Sequence, residues 1–203
     1  MQRYKIKIEY EGTPFVGWQF QKNGQSIQEV IQKAIFKFSK EKVTVIGAGR
    51  TDSGVHALGQ TAHFDLKKKI SKKKILPAIN QNIENNSVTV LKVNKTNKKF
   101  HARHDAKKRT YRYLIVNRQS PLALQKNKAW HIRKKLDLLS IRNEFAICSL
   151  NEFIDSNAFG SIALPFKVSF LPFDFIEISC IVVGIIFFSS KRSADPDFVP
   201  MIP

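Results

Sequence analysis

Cysteine is scarce in this chain, which holds only Cys148 and Cys180 among its 203 residues. So few cysteines cannot build the disulfide framework that stabilises small secreted domains. Neither cysteine lies in a spaced pattern with histidine that would indicate zinc ligands. We therefore expect neither a disulfide framework nor a metal site.

A long apolar run is lacking at the start of the chain. Within residues 1–20, charged side chains such as Arg3, Lys5 and Glu9 alternate with apolar ones. This alternation excludes the apolar core of a signal peptide, so we expect a cytoplasmic protein.

Acidic residues are few relative to basic ones. The chain has 16 Asp and Glu against 34 Lys and Arg, and a formal net charge of +18. After residue 139 the balance reverses, because only four of the basic residues but seven of the acidic ones lie there. A globular segment as basic as the first two thirds favours a polyanionic partner, nucleic acid above all, because neutralised phosphates release counterions. The alternative is a solvated, lysine-rich surface without a binding role.

The first part of the chain shows two clear periodicities. Residues 4–10 alternate apolar and charged side chains, which predicts a half-buried strand. Ser26 and Glu29 then form a capping-box pair, which predicts the start of a helix. Apolar residues follow that pair at steps of three and four, as a helix face requires: Ile27, Val30, Ile31, Ala34, Ile35 and Phe38.

Three more strands and a second helix are predicted in the first half of the chain. Strand-like segments occupy residues 43–48 and 60–66, a second helix is expected at about 71–83, and residues 88–93 form another β-rich run. The order β-α-β-β-α-β predicts an α+β, ferredoxin-like fold, with helices on one face of an antiparallel sheet and the other face open. A basic open face suits RNA, although this order also fits many unrelated proteins. A further strand is predicted at residues 111–116.

Residues 49–60 carry the most informative motif, GRTDSGVHALGQ. Its one carboxylate, Asp52, lies in a turn directly after the apolar segment 43–46, which we expect to be a short rigid element. A lone nucleophile is displayed in this way. Asp, Ser and Gly each favour ordinary turns, so the turn alone is weak support. Turn chemistry does not, however, account for Arg50, His56 or Gln60.

This motif resembles the catalytic motif of pseudouridine synthases, and its amino-acid sequence is close to that of the tRNA pseudouridine synthase A family. The segments Gly17-Trp18-Gln19, FHAR at 100–103 and RTYRY at 109–113 are similar to the same family. The resemblance extends over residues 3–138. It implies a pseudouridine synthase fold, isomerisation of uridine in the anticodon stem-loop of tRNA, no cofactor, no metal and a homodimer.

The resemblance also implies roles for individual residues. Asp52 would be the nucleophile, and Tyr111 would pack on the target base. We expect Arg50 to keep the Asp52 carboxylate charged and to contact the substrate. Tyr113 is expected in the core, while the alternative is that both tyrosines are cross-strand aromatics.

The resemblance divides the chain into an N-terminal domain at residues 1–106, the start of a C-terminal domain at 107–139 and a divergent tail at 140–203. Family members continue with a second half whose arginine pairs with the nucleophile. The tail holds only fragments of that motif, Ser169-Phe170-Leu171 and Val183-Gly184, with no arginine between them. A frameshift in the gene is our leading explanation, and we expect the family's dimer to fail. Two hypotheses stay open, an active tRNA pseudouridine synthase and an inactive RNA-binding remnant.

One stretch of the tail, residues 168–188, is long enough to span a membrane. Asp174 and Glu177 lie inside it, and an acidic group near the middle of a bilayer costs about 2.5–3.5 kcal/mol. We therefore treat the membrane segment as the minor alternative and expect no membrane association.

Overall fold

The computed structural model describes residues 1–141, 143, 162–171 and 175–183. The chain divides into two compact units, and the boundary falls between Asp105 and Ala106. Of the two cysteines, Cys148 lies outside the described residues.

The first unit has the predicted order of elements. Strand β1 (Gln2–Tyr10), helix α1 (Ile27–Ser39), β2 (Ile46–Gly47), β3 (Ala57–Leu66), helix α2 (Lys72–Asn82) and β4 (Val88–Thr96) follow one another along the chain. They form a four-stranded sheet in the order β2-β3-β1-β4, and every neighbouring pair is antiparallel. The predicted α+β fold is thereby confirmed.

Both helices pack on the same face of this sheet. Alternate residues of β1, from Tyr4 to Tyr10, are buried against them. Helix α1 contributes the face predicted from its periodicity, and α2 contributes Ile75 and Ile79, which are fully buried. Ser26 caps α1 as predicted, since its Oγ accepts a hydrogen bond from the Glu29 N–H at 3.2 Å.

The predicted strand at residues 43–48 is mostly wrong. Only Ile46 and Gly47 pair with β3. Side chains of α1 take the place of a strand partner at Val45, because Gln32 Oε1 accepts from the Val45 N–H at 3.0 Å and Gln28 Nε2 donates to the Val45 carbonyl at 2.8 Å. The backbone is therefore satisfied without a ladder.

The opposite face of the sheet is only partly open, which corrects the expectation of a bare face. Residues 100–105 lie over the end of it nearest Arg3. Arg3 Nη1 donates to the Phe100 carbonyl at 2.7 Å, and Ala102 N–H donates to His63 Nδ1 at 3.1 Å. Lys5 lies 5.0 Å from the Phe100 ring centre. The FHAR segment is thus a structural cover in this unit.

His63 is buried beneath that cover, with 2% of its surface exposed. Burial first, and then the neighbouring Arg3 cation, lower the pKa of His63 to about 4. The ring is therefore neutral at physiological pH and its Nδ1 is free to accept from Ala102. Arg3 itself forms a bidentate pair with Asp65, at 2.8 and 2.7 Å, and this bonding lowers the pKa of Asp65.

The second unit contains another four-stranded sheet. Its strands are β5 (Lys108–Asn117), β6 (Trp130–Ile132), β7 (Ile162–Leu171) and β8 (Phe175–Val183), in the order β6-β5-β8-β7. Strands β7 and β8 belong to the segment that we expected to be divergent, and β8 pairs with β5 along nine residues from Lys108 to Val116. Part of the tail therefore completes a sheet around the predicted strand 111–116.

The membrane alternative finds no support in the described part of the chain. Residues 168–171 and 175–183 are strands. No helix among the described residues combines the length and apolarity needed to cross a bilayer.

Candidate active site

The loop that carries Asp52 is bonded to the connection between β1 and α1. Trp18 N–H donates to the Thr51 carbonyl at 2.9 Å, and Ser53 Oγ donates to the Phe15 carbonyl at 3.1 Å. These bonds flank Asp52 on both sides. The loop is therefore fixed by partners that lie more than thirty residues earlier in the sequence.

Gly17 makes this close approach possible. Its φ is +114°, a region that residues with a Cβ rarely adopt. A Cβ on Gly17 would lie 2.6 Å from the Thr51 carbonyl oxygen and 3.2 Å from the Asp52 carbonyl carbon. Both of those atoms belong to the backbone and cannot swing aside. The glycine of the Gly17-Trp18-Gln19 segment is thus explained by its contact with the Asp52 loop.

Two further polar residues of the GRTDSGVHALGQ motif, Gln60 and Thr51, also hold the loop. Gln60 Nε2 donates to the Gly49 carbonyl at 2.8 Å, and Thr51 Oγ1 lies 2.9 Å from the Tyr10 hydroxyl. Burial raises the pKa of Tyr10, although its hydrogen bonds oppose the shift, so the phenol is neutral at physiological pH. These residues of the motif therefore have a structural role in holding the Asp52 loop.

His56 has a structural role as well. Its Nδ1 accepts a hydrogen bond from the Gly12 N–H at 3.0 Å, so this nitrogen carries a lone pair. The same atom lies 3.8 Å from Glu11 Oε1. Because Nδ1 accepts the hydrogen bond from Gly12, it does not donate one to Glu11.

Asp52 lies at a cleft of about 380 Å³. Among the described residues that line this cleft, Asp52 and Arg50 carry charge and the others are neutral. Three of the neutral side chains are amides that can donate and accept hydrogen bonds: Gln19, Gln21 and Asn23. The cleft therefore offers one carboxylate, one guanidinium and several groups that suit the polar edge of a base or a ribose.

The three predicted site residues, Asp52, Arg50 and Tyr111, do not all lie on the same element of the structure. Asp52 and Arg50 line the same cleft and are both exposed, but no ion pair within 4.0 Å joins them in the described part of the chain. Tyr111 lies in the second unit, on β5, with 42% of its surface exposed. The role of each of these residues stays a prediction.

The expectation that Tyr113 is a core residue is wrong. Its side chain is 38% exposed, nearly as much as that of Tyr111. Residues two apart on a strand point to the same face, so the alternation that turns Tyr111 outward does the same to Tyr113.

Sequence reasoning missed the amide residues Gln21 and Asn23. They lie about thirty positions from Asp52, and their spacing carries no signal. A metal site is not formed by the part of the chain described, since no three or more His, Cys, Asp or Glu side chains converge there.

Comparison with known proteins is decisive for the first unit. Residues 6–105 match the family described as tRNA pseudouridine synthase. Residues 6–105 belong to that family. The matched segment contains the whole Asp52 loop and the partners described above that fix it, and the resemblance read from the motif is confirmed.

Individual tRNA pseudouridine synthases A are similar to the chain over about two thirds of its length. The protein of Pelagibacter ubique (strain HTCC1062) is 55% identical over 139 residues, which are 68% of this chain and 56% of the relative. That of Ehrlichia canis (strain Jake) is 55% identical over 137 residues, 67% of this chain and 56% of the relative. That of Rhodospirillum centenum is 45% identical over 137 residues, with 68% and 56% covered. The chain thus matches a little over half the length of these pseudouridine synthases.

Proposed function

We propose that the chain is a tRNA pseudouridine synthase, which isomerises uridine to pseudouridine in the anticodon stem-loop of tRNA. The observation that carries this proposal is Asp52, which is presented at a cleft by a loop that the motif residues Ser53 and Gln60 help to hold. The relatives that share the first two thirds of the chain are named tRNA pseudouridine synthase A.

The reaction needs few groups. The N1–C1′ glycosidic bond breaks, the base turns, and a C5–C1′ bond forms, while C5 loses a proton and N1 gains one. Substrate and product are isomers, so no oxidant, reductant or second substrate takes part. Asp52 supplies the carboxylate nucleophile, and the guanidinium of Arg50 at the same cleft contacts the substrate.

The target uridine must leave the base stack of the RNA before it can react. A base in a stem is unreachable until it is flipped out, which costs a few kcal/mol. Stacking on the exposed ring of Tyr111 offsets part of this cost, as does phosphate binding by the lysine-rich surface. On the sheet face away from the helices, Lys7 and Lys92 of the first unit lie side by side in register and are both exposed.

A second candidate is an inactive RNA-binding remnant of such an enzyme. The observation that favours it is the missing arginine of the second-half motif, because residues 140–203 contain no counterpart in the expected context. In this case the basic surface of residues 1–139 would bind tRNA, while Asp52 would lack the group that completes its surroundings.

Tritium release tests the two candidates. With tRNA labelled at C5 of uridine, the purified chain should release tritium, since C5 loses its hydrogen only when pseudouridine forms. Asp52→Ala should abolish release and leave tRNA affinity within about twofold, because a nucleophile's loss removes chemistry and not the phosphate contacts. Glu11→Ala is the matched control, since it removes a carboxylate next to the loop that does not line the cleft.

Each result has a definite reading. Release that is lost in Asp52→Ala and kept in Glu11→Ala supports the synthase. No release from a folded wild-type chain that still binds tRNA supports the remnant. In that case, adding the second half of the Pelagibacter relative as a separate polypeptide should restore release if the missing arginine is the cause.

A further inference from the structure

Beside the Asp52 cleft lies a second groove with an exposed aromatic ring. Its lining includes Phe20, Lys22 and Lys33, which we call the Phe20 surface. Gln21 lines both this groove and the Asp52 cleft, so the two are adjacent. Phe20 is 55% exposed, although most large apolar side chains of this unit are buried.

The backbone beneath Phe20 is firmly held. Phe20 N–H donates to Gln28 Oε1 at 3.0 Å, and Gln28 in turn bonds the Val45 carbonyl near β2. Gln21 forms a bridge with Gly24, and its Nε2 donates to the Val16 carbonyl at 2.9 Å. The ring therefore projects from an anchored turn, and ordering it on a ligand costs little backbone entropy.

The charges of the groove suit a nucleic acid strand. Lys22 and Lys33 line it together with one acidic residue, Glu29, which pairs with Lys33 at 2.7 Å. An aromatic ring beside lysines is the combination with which proteins bind single-stranded nucleic acid, since the ring stacks on a base and the cations contact phosphates. A single exposed phenylalanine is common on protein surfaces. Phe20 differs in its position beside the Asp52 cleft and in the lysines that lie next to it.

We propose that Phe20 stacks on the nucleotide next to the target uridine while the uridine occupies the Asp52 cleft, and that Lys22 contacts the adjoining phosphate. This proposal rests on the proposed function, since it takes the RNA substrate as the occupant. Flipping a uridine exposes a face of the neighbouring base, and the Phe20 ring covers it. Because every base has a π face, the contact adds affinity without selecting one base.

The experiment measures binding of a labelled anticodon-arm RNA hairpin by fluorescence anisotropy. Phe20→Ala should weaken binding about five- to hundredfold, the range typical of one lost base–aromatic stack. Phe20→Trp should bind within about twofold of the wild type, because a larger ring also stacks. Phe36→Ala is the matched control, because Phe36 is 42% exposed on α1 and lies outside both clefts.

A modified RNA locates the contact. Hairpins in which the nucleotide on either side of the target uridine is abasic should bind the wild type more weakly. For one of the two hairpins, Phe20→Ala should cause no further loss, since the stacking partner is already absent. If the affinity losses caused by Phe20→Ala and by the abasic nucleotide multiply in both hairpins, the proposal is overturned.

The outcomes separate this proposal from the proposed function. Binding is measured without turnover, so an inactive chain that shows the Phe20 effect would refute the synthase and keep the stacking contact. Unchanged RNA affinity in Phe20→Ala would overturn the stacking contact even if tritium release is normal. A shift of oligomeric state in that variant, with RNA affinity unchanged, would assign the surface to protein contacts instead.

Discussion

Replacing Gly17 by alanine should disrupt the Asp52 loop and destabilise the first unit. The new Cβ would lie 2.6 Å from the Thr51 carbonyl oxygen, and the φ of +114° is one that alanine rarely adopts. Backbone strain of this kind costs about 1–3 kcal/mol, and overpacking against backbone adds about 1–3 kcal/mol. Because part of the clash is relieved by movement, we expect Gly17→Ala to lower the free energy of unfolding by about 2–4 kcal/mol.

Gly59→Ala is the matched control. A Cβ at Gly59 would meet Lys7 Cε at 2.2 Å, but that atom is near the end of a flexible side chain and can swing into solvent. Gly59 also lies in β3, where alanine is preferred over glycine by about 0.5–1 kcal/mol. We expect this variant to unfold within about 0.5 kcal/mol of the wild type.

Urea unfolding followed by tryptophan fluorescence measures both effects. The chain has two tryptophans, of which Trp18 is 3% exposed and lies beside the Asp52 loop, whereas Trp130 is 42% exposed in the second unit. In a Trp130→Phe background, the signal reports the first unit alone. With a slope of about 1 kcal/mol per molar urea for a unit of this size, the Gly17→Ala midpoint should fall by about 2 M or more. Equal midpoints for Gly17→Ala and Gly59→Ala would refute the account of the loop.

Two further predictions use the same unfolding assay. His63 has a pKa of about 4 in the folded unit and about 6.5 when unfolded, so the unfolded chain binds the proton first as the pH falls. Its contribution is complete above pH 6.5 and is lost progressively toward pH 4, with about 1 kcal/mol lost between pH 7 and 5.5. His63→Asn should flatten this pH dependence, and an unchanged slope would contradict the assignment. Ser26→Ala removes the cap of α1 and should cost about 1 kcal/mol, whereas Ser26→Gly should cost a few tenths. Equal stability of the alanine variant and the wild type would show that the cap is not needed.

Local sequence patterns predicted most of the first unit because its elements are encoded locally. The alternation in β1 and the three- and four-residue steps of α1 each reflect one face buried in a common core. The same patterns failed where a tertiary partner replaced a local one. Residues 43–45 have the composition of a strand, but the amides of Gln28 and Gln32 satisfy Val45 from the side.

The candidate site, like the fold, has features that local sequence predicts and features that depend on tertiary packing. The motif around Asp52 indicated a candidate nucleophile from sequence alone, because its residues are contiguous in the chain. Tyr113 was assigned to the core although it shares a face with Tyr111, and both are exposed. Composition and a family pattern cannot say which side of a strand is covered, because that depends on what packs there.

The order of elements, the basic character of the first two thirds and the candidate carboxylate Asp52 can be read from the amino-acid sequence. These properties follow from residues that are adjacent or periodic along the chain. The cleft, in contrast, is formed by tertiary contacts. Gly17 lets the β1–α1 connection reach the Thr51 carbonyl, and this approach brings Gln19 and Asn23 beside Asp52. These residues are distant in sequence and meet because Gly17, which has no side chain, allows two loops to approach closely. The spacing of residues along the chain does not encode that contact.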